Sequence, residues 1–478
     1  MPSRACQARF PRDGQKAVHM AGSPGRRRRG LLAAAIAGLI AAGTLAACGG
    51  TSGGSGGGSG GSATSGDITW WGWTPTVQGA AAYIKAFNKV YPDIHITFKE
   101  ITIAGYDAAM RPALAVSGVG PDIFGIAPGA GLALYAPDAV NLEPAIAKAL
   151  GPDWKSRVAP IGPAGLTTAS GKLAALPIGS TFAGNLWINQ DLFTRYGLTP
   201  PTTLASWAHV CSVFKQHGVG CFVQGAGQVA FNQDTLQEIS DSIQPGVWTQ
   251  ASKGQISWDN PTIVRALTIW KEMFADGIME PGALGLQQYP DANNDFLAGK
   301  YAMVMMGTWY MQYATQAGMP AAISAAGVAN PKPFTMVAIP FPNVAGGTNP
   351  ATMFGDADYG LAVNSKSSHQ AAATTFATWL TTSTAGQQVV GNLLNDIPSL
   401  GGIQPDWSTV PLVNGSAQQP NLQQLIKSTS TSSEPRLSTV SANLQQAIGV
   451  ASTTVAAGSA TPAQAAATLE HTMKSQSS

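Results

Sequence analysis

Charge is scarce in this 478-residue chain: Asp, Glu, Lys and Arg together make up 11% of it. What charge there is lies unevenly. Eight of the 27 basic residues, Arg4, Arg9, Arg12, Lys16 and Arg26 to Arg29, precede Cys48 with Asp13 as the single acid, so 19 basic and 24 acidic residues follow, a net of −5. A surface of that sign gives DNA or RNA no electrostatic reason to bind, and no nucleic-acid partner is expected. Cysteine is scarcer still, at four residues. His209, Cys211, His217 and Cys221 form a zinc-like set on paper, but a helix over Leu204–Gln216 would hold His209 and Cys211 about 200° apart, so no metal is expected there. No GKS or GKT phosphate loop occurs, so the chain is not expected to hydrolyse ATP, and no cofactor is expected. The hydrophobic fraction of 45% excludes disorder of the whole chain.

Long hydrophobic runs are also missing, with one exception. Leu31 to Ala47 is uncharged and alanine-rich, follows four arginines, and ends at Leu45, Ala46, Ala47 and Cys48. Charged region, apolar region and small-residue cleavage site in that order make a secretory signal over residues 1–47, not a permanent membrane span. Leu45 to Cys48 resembles the bacterial lipobox, which implies that Cys48 becomes a lipid anchor on the outer face of the cell membrane. Arg28 and Arg29 loosely resemble a twin-arginine export signal; ordinary secretion is equally open. Residues 48–66 are almost wholly glycine, serine and threonine, a tether with a reach of about 20 Å. Within it, Gly50 to Gly54 and Gly57 to Gly61 match the serine-hydrolase elbow spacing only by composition, since neither lies between a strand and a helix. With Cys6 removed and Cys48 lipidated, Cys211 and Cys221 are expected to pair, a short loop closure contributing about 2–3 kcal/mol.

From Asp67 the elements alternate. Strands are predicted at Asp67–Trp71, Ile94–Glu100 and Asp122–Gly125, with helices at Val77–Tyr91 and Tyr106–Ser117, an order that predicts a parallel sheet. A second series has strands at Leu186–Asn189, Cys221–Val223, Ala302–Met306, Thr335–Phe341 and Tyr359–Val363. Its helices are Asp191–Tyr196, Thr203–Gln216 and one opened by Asn260 and Pro261; helical patterns follow at Gln370–Leu380, Leu437–Val450 and Pro462–Met473. The length exceeds one core, so two α/β lobes with a cleft beyond the strand ends are expected. Asp291, Asn293 and Asp295 imitate a calcium loop but lack its glycine and glutamate, where Phe296 and Ala302 stand; a turn and cap is the better reading.

ITWWGW (Ile68–Trp73), FNKVYPDIHITF (Phe87–Phe98), GPDIF (Gly120–Phe124), GKLAALPIGS (Gly171–Ser180), INQDLFTRYGLTPPTTLASW (Ile188–Trp207), FLAGKYAMVMMGTW (Phe296–Trp309) and YGLAVNSKS (Tyr359–Ser367) follow one another in an order that resembles the family 1 extracellular solute-binding proteins. These are the carbohydrate-binding lipoproteins of bacterial ABC importers. Two departures fall in scaffold pieces: Trp187 and Ile188 before Asn189, and Ala208 and His209 after Trp207. The resemblance implies a two-lobed periplasmic-binding-protein-like α/β fold with parallel-type sheets and hinge crossovers. Its expected segments are 67–178 and 364–405 for the first lobe and 179–363 and 406–478 for the second, crossing near Leu176–Thr181 and returning near Asn364. The implied partners are a sugar, the permease subunits and the membrane through the anchor, with the protein a monomer.

A sugar site needs flat aromatic faces and bidentate polar groups. Trp71 and Trp73, just past the first strand, are candidates, with rim packing as the alternative, while Trp70 points to the core. Trp309 matches the family tryptophan that stacks on sugar, and Tyr310 follows it. Ser180, Thr181 and Phe182 follow the first crossover, and Asp356, Asp358 and Tyr359 precede the return; both segments match cleft-lining stretches. Either aspartate could accept two hydroxyls or serve as a loop residue. Gln224 is a further candidate, whereas Trp207, Trp270 and Trp379 fall at core spacing. No arginine or lysine cluster stands beside these residues, which argues against a phosphorylated ligand. Two other readings stay open: a sensing lipoprotein, and a glycoside hydrolase using Asp291 with Asp295 or Asp356 with Asp358.

Overall fold

The computed structural model describes residues 62–349 and 352–477. The signal, Cys48 and nearly all of the tether lie outside the described residues. Twelve strands fall into three sheets. The first lobe contains β1 (Gly66–Gly72), β2 (Ile94–Glu100), β3 (Ile123–Ile126) and β4 (Leu176–Pro177); the hinge contains β5 (Gly179–Ala183). The second lobe contains β6 (Asn185–Asn189), β7 (Gly220–Val223), β8 (Tyr301–Met305) and β9 (Met336–Pro340). β10 (Phe354–Ala357), β11 (Gly360–Val363) and β12 (Ile397–Pro398) complete the set.

The first sheet runs β2-β1-β3-β11-β4, with β1 parallel to β2 and β3. Alternation along β1 turns Ile68 and Trp70 inward, where Trp70 packs on Phe98 and Phe376 at 4.6 and 5.5 Å. The helix Val77–Phe87 starts where the Thr76 side chain accepts from the Gly79 amide, and it brings Tyr83 and Phe87 into the same core. The second sheet runs β7-β8-β6-β9 over a core that includes Trp207, Phe214, Phe222 and Trp270. Cys211 and Cys221 are joined by a disulfide between the helix Leu204–Gln216 and β7. A small antiparallel sheet, β10-β5-β12, links the lobes.

The expectation of parallel-type sheets needs correction. β11 is antiparallel to β3 and β4, and β6 is antiparallel to both β8 and β9, so both lobes carry mixed sheets. The cause is the hinge, which returns strands to a sheet against its parallel direction. The return crossing also comes earlier than Asn364: β11 already pairs with β3, so the segment 179–363 ends near β10. Leu437–Val450 is not one helix; the helix is Ala442–Ala456, capped by Ser441 through the Leu444 amide. The residues before it form an irregular strap. A helix missing from the expectation, Val229–Ile243, lies between this strap and the second core, and its polar residues Asn232 to Gln233, Asp234, Gln237, Glu238 and Asp241 are buried. Its composition reads as a solvated face because the strap that covers it is about 200 residues away in sequence. Among the described residues no helix is long and apolar enough to cross a membrane.

Candidate functional site

Past the end of β1 the chain places Trp73 edge-on against Tyr106, with ring centroids 4.7 Å apart, and beside Tyr359 at 5.4 Å. Gly125 makes this approach possible, since a Cβ there would stand 2.9 Å from Tyr359 and 3.1 Å from Trp73. The Tyr106 hydroxyl donates to the Gly125 carbonyl at 2.8 Å and accepts from its amide at 2.9 Å, which fixes the floor of the group. Tyr83 and Tyr359 are fully buried, and their hydroxyls have no hydrogen-bond partner among the described residues. Orphaned hydroxyls of this kind cost about 1–3 kcal/mol each, a cost that a guest or an ordered water removes. Trp71 points the other way, covered by the Lys99 ammonium 4.1 Å from its ring.

The hinge supplies the acids. Thr181 donates to Asp358 Oδ1 at 3.3 Å, and the Asp358 amide donates to the Gly179 carbonyl. Asp396, just before β12, takes a 2.6 Å hydrogen bond from the Asn395 amide on Oδ2, while its Oδ1 has no partner among the described residues. Asp358 and Asp396 act on each other electrostatically. Burial pushes Asp358 up to about 6 although Arg436, Thr181 and Asp396 pull it down. Asp396 is raised well above the carboxylate range by burial and then by the Asp358 charge, so the pair shares a proton. Asp356, two residues earlier, has a different role: its Oδ2 accepts from the amides of Arg436, Leu437 and Ser438 and ties the strap to β10.

The second lobe contributes a braced aromatic face. Trp309 donates from Nε1 to the Tyr289 hydroxyl at 3.1 Å, and the Arg436 guanidinium lies 4.7 Å over its ring. Arg436 is held by Asp234 through two 2.8 Å hydrogen bonds in bidentate geometry. Gly307 has to be glycine, because a Cβ there would come within 2.1 Å of the Trp309 ring. Between the lobes, Asn395 donates to Thr74 at 3.4 Å and accepts from Gln312 at 2.8 Å, and Gln312 also donates to the Trp309 carbonyl.

The structure thus brings Trp73, Asp358, Tyr359 and Trp309 to one interlobe region. Ser180 and Phe182 lie in β5 at its base; the Ser180 hydroxyl is buried without a partner among the described residues, and the Phe182 amide is taken by Thr308. Three candidates have other roles. Gln224 spends its amide on Phe231, Asn232 and Thr235. Tyr310 is 0% exposed, with its hydroxyl on Asn293. Asp356 is saturated by the strap. The calcium-like residues are likewise occupied: Asp291 accepts from the Gln287 amide, Asn293 from Tyr310, and Asp295 pairs with Lys300. Sequence reasoning missed Tyr83, Tyr289, Asp396, Asn395, Asp234 and Arg436. One signal existed: Arg436 is the only Lys or Arg between Lys427 and Lys474. It is a single cation rather than a cluster, and Asp234, Asp358 and Asp356 act on it, so the local balance is acidic and unfavourable to phosphate.

A family model described as bacterial extracellular solute-binding protein matches residues 70–387. Solved structures with the same fold include one concerned with xylan utilization by the thermophilic bacterium Caldanaerobius polysaccharolyticus, at a TM-score of 0.69 and 21% identity over 85% of this chain and 99% of that one. A chitin oligosaccharide binding protein has a TM-score of 0.66 and 18% identity, over 86% and 98% of the two chains. The GacH receptor of Streptomyces glaucescens, solved unliganded and with acarbose, has a TM-score of 0.63 and 17% identity over the same shares.

Proposed function

The chain belongs to the bacterial extracellular solute-binding protein family, and from that premise we propose that it captures a mono- or oligosaccharide between its lobes and delivers it to the permease of an ABC importer. The single observation that carries the carbohydrate reading is the meeting of unpartnered hydroxyls and a proton-sharing carboxylate pair with the rings of Trp73, Tyr359 and Trp309. Sugar C–H faces pack on rings while hydroxyls donate to carboxylates, and charged acceptors make the stronger bonds. Trp309, Arg436 and Gln312 belong to one lobe, Trp73 and Tyr83 to the other, and Asp358 to the hinge. A ligand touching all three groups favours the closed arrangement by its differential affinity and shifts the population toward it. Ser180, Phe182 and Tyr359 shape the base of the cleft. Cys48 anchors the exported protein to the outer face of the membrane through its lipid, and the protein works as a monomer.

Binding suits these residues better than hydrolysis. Asp356 is saturated by three amides and Asp295 is paired with Lys300, which occupies one acid in each of the two pairs a glycosidase could use. The test is a thermal-shift screen against mono-, di- and trisaccharides, polyols and sugar phosphates. A ligand at 100 times its Kd adds about 2.7 kcal/mol, and the response should fall to about 1 kcal/mol or less in Trp309→Ala. A flat response to every saccharide contradicts the reading. Import is separated from sensing by deletion: uptake of the identified sugar should be lost, and be restored only by a copy that retains Cys48.

A further inference from the structure

We propose that the first lobe positions Trp309: two chains of contact cross from that lobe to the second, one ending on the Trp309 carbonyl and the other on its ring, so the stacking face is completed as the lobes close. The proposal rests on the carbohydrate reading and adds Thr74, Asn395 and Gly129 to it as positioning residues. The first chain starts beside Trp73. Asn395 Nδ2 donates to the Thr74 hydroxyl at 3.4 Å, and its Oδ1 accepts from Gln312 Nε2 at 2.8 Å. The same Gln312 nitrogen donates to the Trp309 carbonyl at 2.9 Å. One carboxamide has both a donor and an acceptor, and Asn395 spends one on each lobe. The rings of Trp73 and Trp309 are thereby tied through Thr74, Asn395 and Gln312.

The second chain runs through the strap. Gly129 opens the first-lobe helix Ala130–Tyr135 and lies directly against the strap: a Cβ there would overlap the Leu437 carbonyl oxygen and stand 2.8 Å from that of Val440. Its φ of 68° and ψ of −119° belong to the mirror-β region, which glycine enters at no steric cost. Leu437 adjoins Arg436, whose guanidinium covers the Trp309 ring at 4.7 Å. The strap is held fast on its other sides. The Pro435 and Arg436 carbonyls accept from Gln237 at 2.9 Å and Gln233 at 2.7 Å, Ser252 bonds Thr439 at 2.8 Å, and Asp356 takes the Arg436 and Ser438 amides at 3.0 and 2.9 Å. A shift of the first lobe at Gly129 therefore reaches the ring through one stiff peptide. Tyr135 is packed in the first core and Val440 in the second, so rotation of the lobes about the hinge strands moves the two sides of this contact against each other.

The experiment is fluorine NMR of the intact protein labelled with fluorotryptophan, the Trp309 resonance being the one absent from Trp309→Phe. Thr74→Val deletes the acceptor at the head of the first chain, and Gly129→Ala drives a methyl into the strap. Each should move the Trp309 resonance by more than its line width and leave those of Trp207 and Trp270, in the second core, in place. Gly118→Ala is the control for backbone strain, since Gly118 has a φ of 75° and nothing within 4 Å of its Cβ position; it should leave Trp309 unmoved. Titration with maltose, cellobiose and the N-acetylglucosamine dimer supplies the second readout. For a sugar that binds, Thr74→Val should weaken affinity about threefold and Gly129→Ala about tenfold, and both losses should shrink below about twofold in a Trp309→Ala background. A Trp309 resonance unmoved in both variants, or losses of full size without the Trp309 ring, overturns the proposal and leaves the carbohydrate reading standing. An equal shift in Gly118→Ala overturns the chain through the strap. Thr74→Val, close to threonine in shape, keeps the test decisive if Gly129→Ala does not fold. Movement of the resonance in a protein that binds no saccharide overturns the carbohydrate reading and not the positioning of the ring.

Discussion

The two faces of the cleft are built in opposite ways. On the second lobe the groups that brace Trp309 are engaged with one another: Arg436 with Asp234, Trp309 with Tyr289, and Gln312 with Asn395 and the Trp309 carbonyl. On the first lobe and the hinge, Tyr83, Tyr359 and Asp396 each keep an atom without a partner among the described residues. One face is a rigid plate and the other is an unfinished hydrogen-bond network. The difference separates residues whose loss damages the fold from residues whose loss damages binding.

The bracing of the second-lobe face depends most on Arg436. Arg436→Ala leaves Asp234, whose side chain is 2% exposed, as an unpaired buried charge, and should cost about 3–5 kcal/mol in denaturant unfolding. An effect under about 1 kcal/mol would mean that the plate is not braced as described. Trp309→Ala removes a ring that packs with Arg436 and Phe231. It should weaken saccharide binding at least about 30-fold by titration, a loss of roughly 2 kcal/mol, while the far-UV circular dichroism is unchanged.

A pH titration sharpens the contrast between the acids. Asp241 is raised to about 7 by burial, and Asp358 to about 6, so between about pH 4 and 7 the folded state holds more protons than the unfolded chain. Stability contributed by these groups is full below the unfolded pKa and is lost as pH rises through the folded values. The thermal midpoint should therefore fall across that window, and Asp241→Asn should flatten part of the slope without altering sugar affinity. The smallest effect belongs to Tyr83→Phe. Deleting an orphaned hydroxyl should leave stability unchanged or raise it by up to about 1 kcal/mol, while binding weakens. A clear loss of stability would show that the hydroxyl is already satisfied in the free protein.

Much of this was legible in the residues. Ile94–Glu100 is a strand with the predicted bounds, Asn260 caps the helix that Pro261 begins, and Cys211 pairs with Cys221. These are local signals: alternation, a cap, a short loop. The misses are non-local. β10 and β5 pair across more than 170 residues, so neither reads as a strand alone, and the early return of β11 follows from that pairing. Trp73 was chosen because it lies past a strand end, and Trp309, Asp358 and Tyr359 because their segments resemble the family's cleft-lining pieces; the structure brings all four to one interlobe region. Asp396 and Arg436 were not chosen, because their partners Asp358 and Asp234 lie 38 and 202 residues away, and only folding brings each pair together. Tyr310 and Gln224 were chosen by adjacency, but alternation and the helix at Val229 turned them inward.

The solute site we propose is the interlobe region around Asp358. The most direct measurement is calorimetric titration of the best saccharide from the screen into the wild-type protein and into Asp358→Asn. Replacing a charged acceptor with an amide should preserve the one-to-one stoichiometry and weaken affinity by about 10- to 100-fold, the worth of roughly 1.5–3 kcal/mol for a charge-assisted hydrogen bond. Unaltered affinity in Asp358→Asn, with the fold intact by circular dichroism, would place the binding site elsewhere.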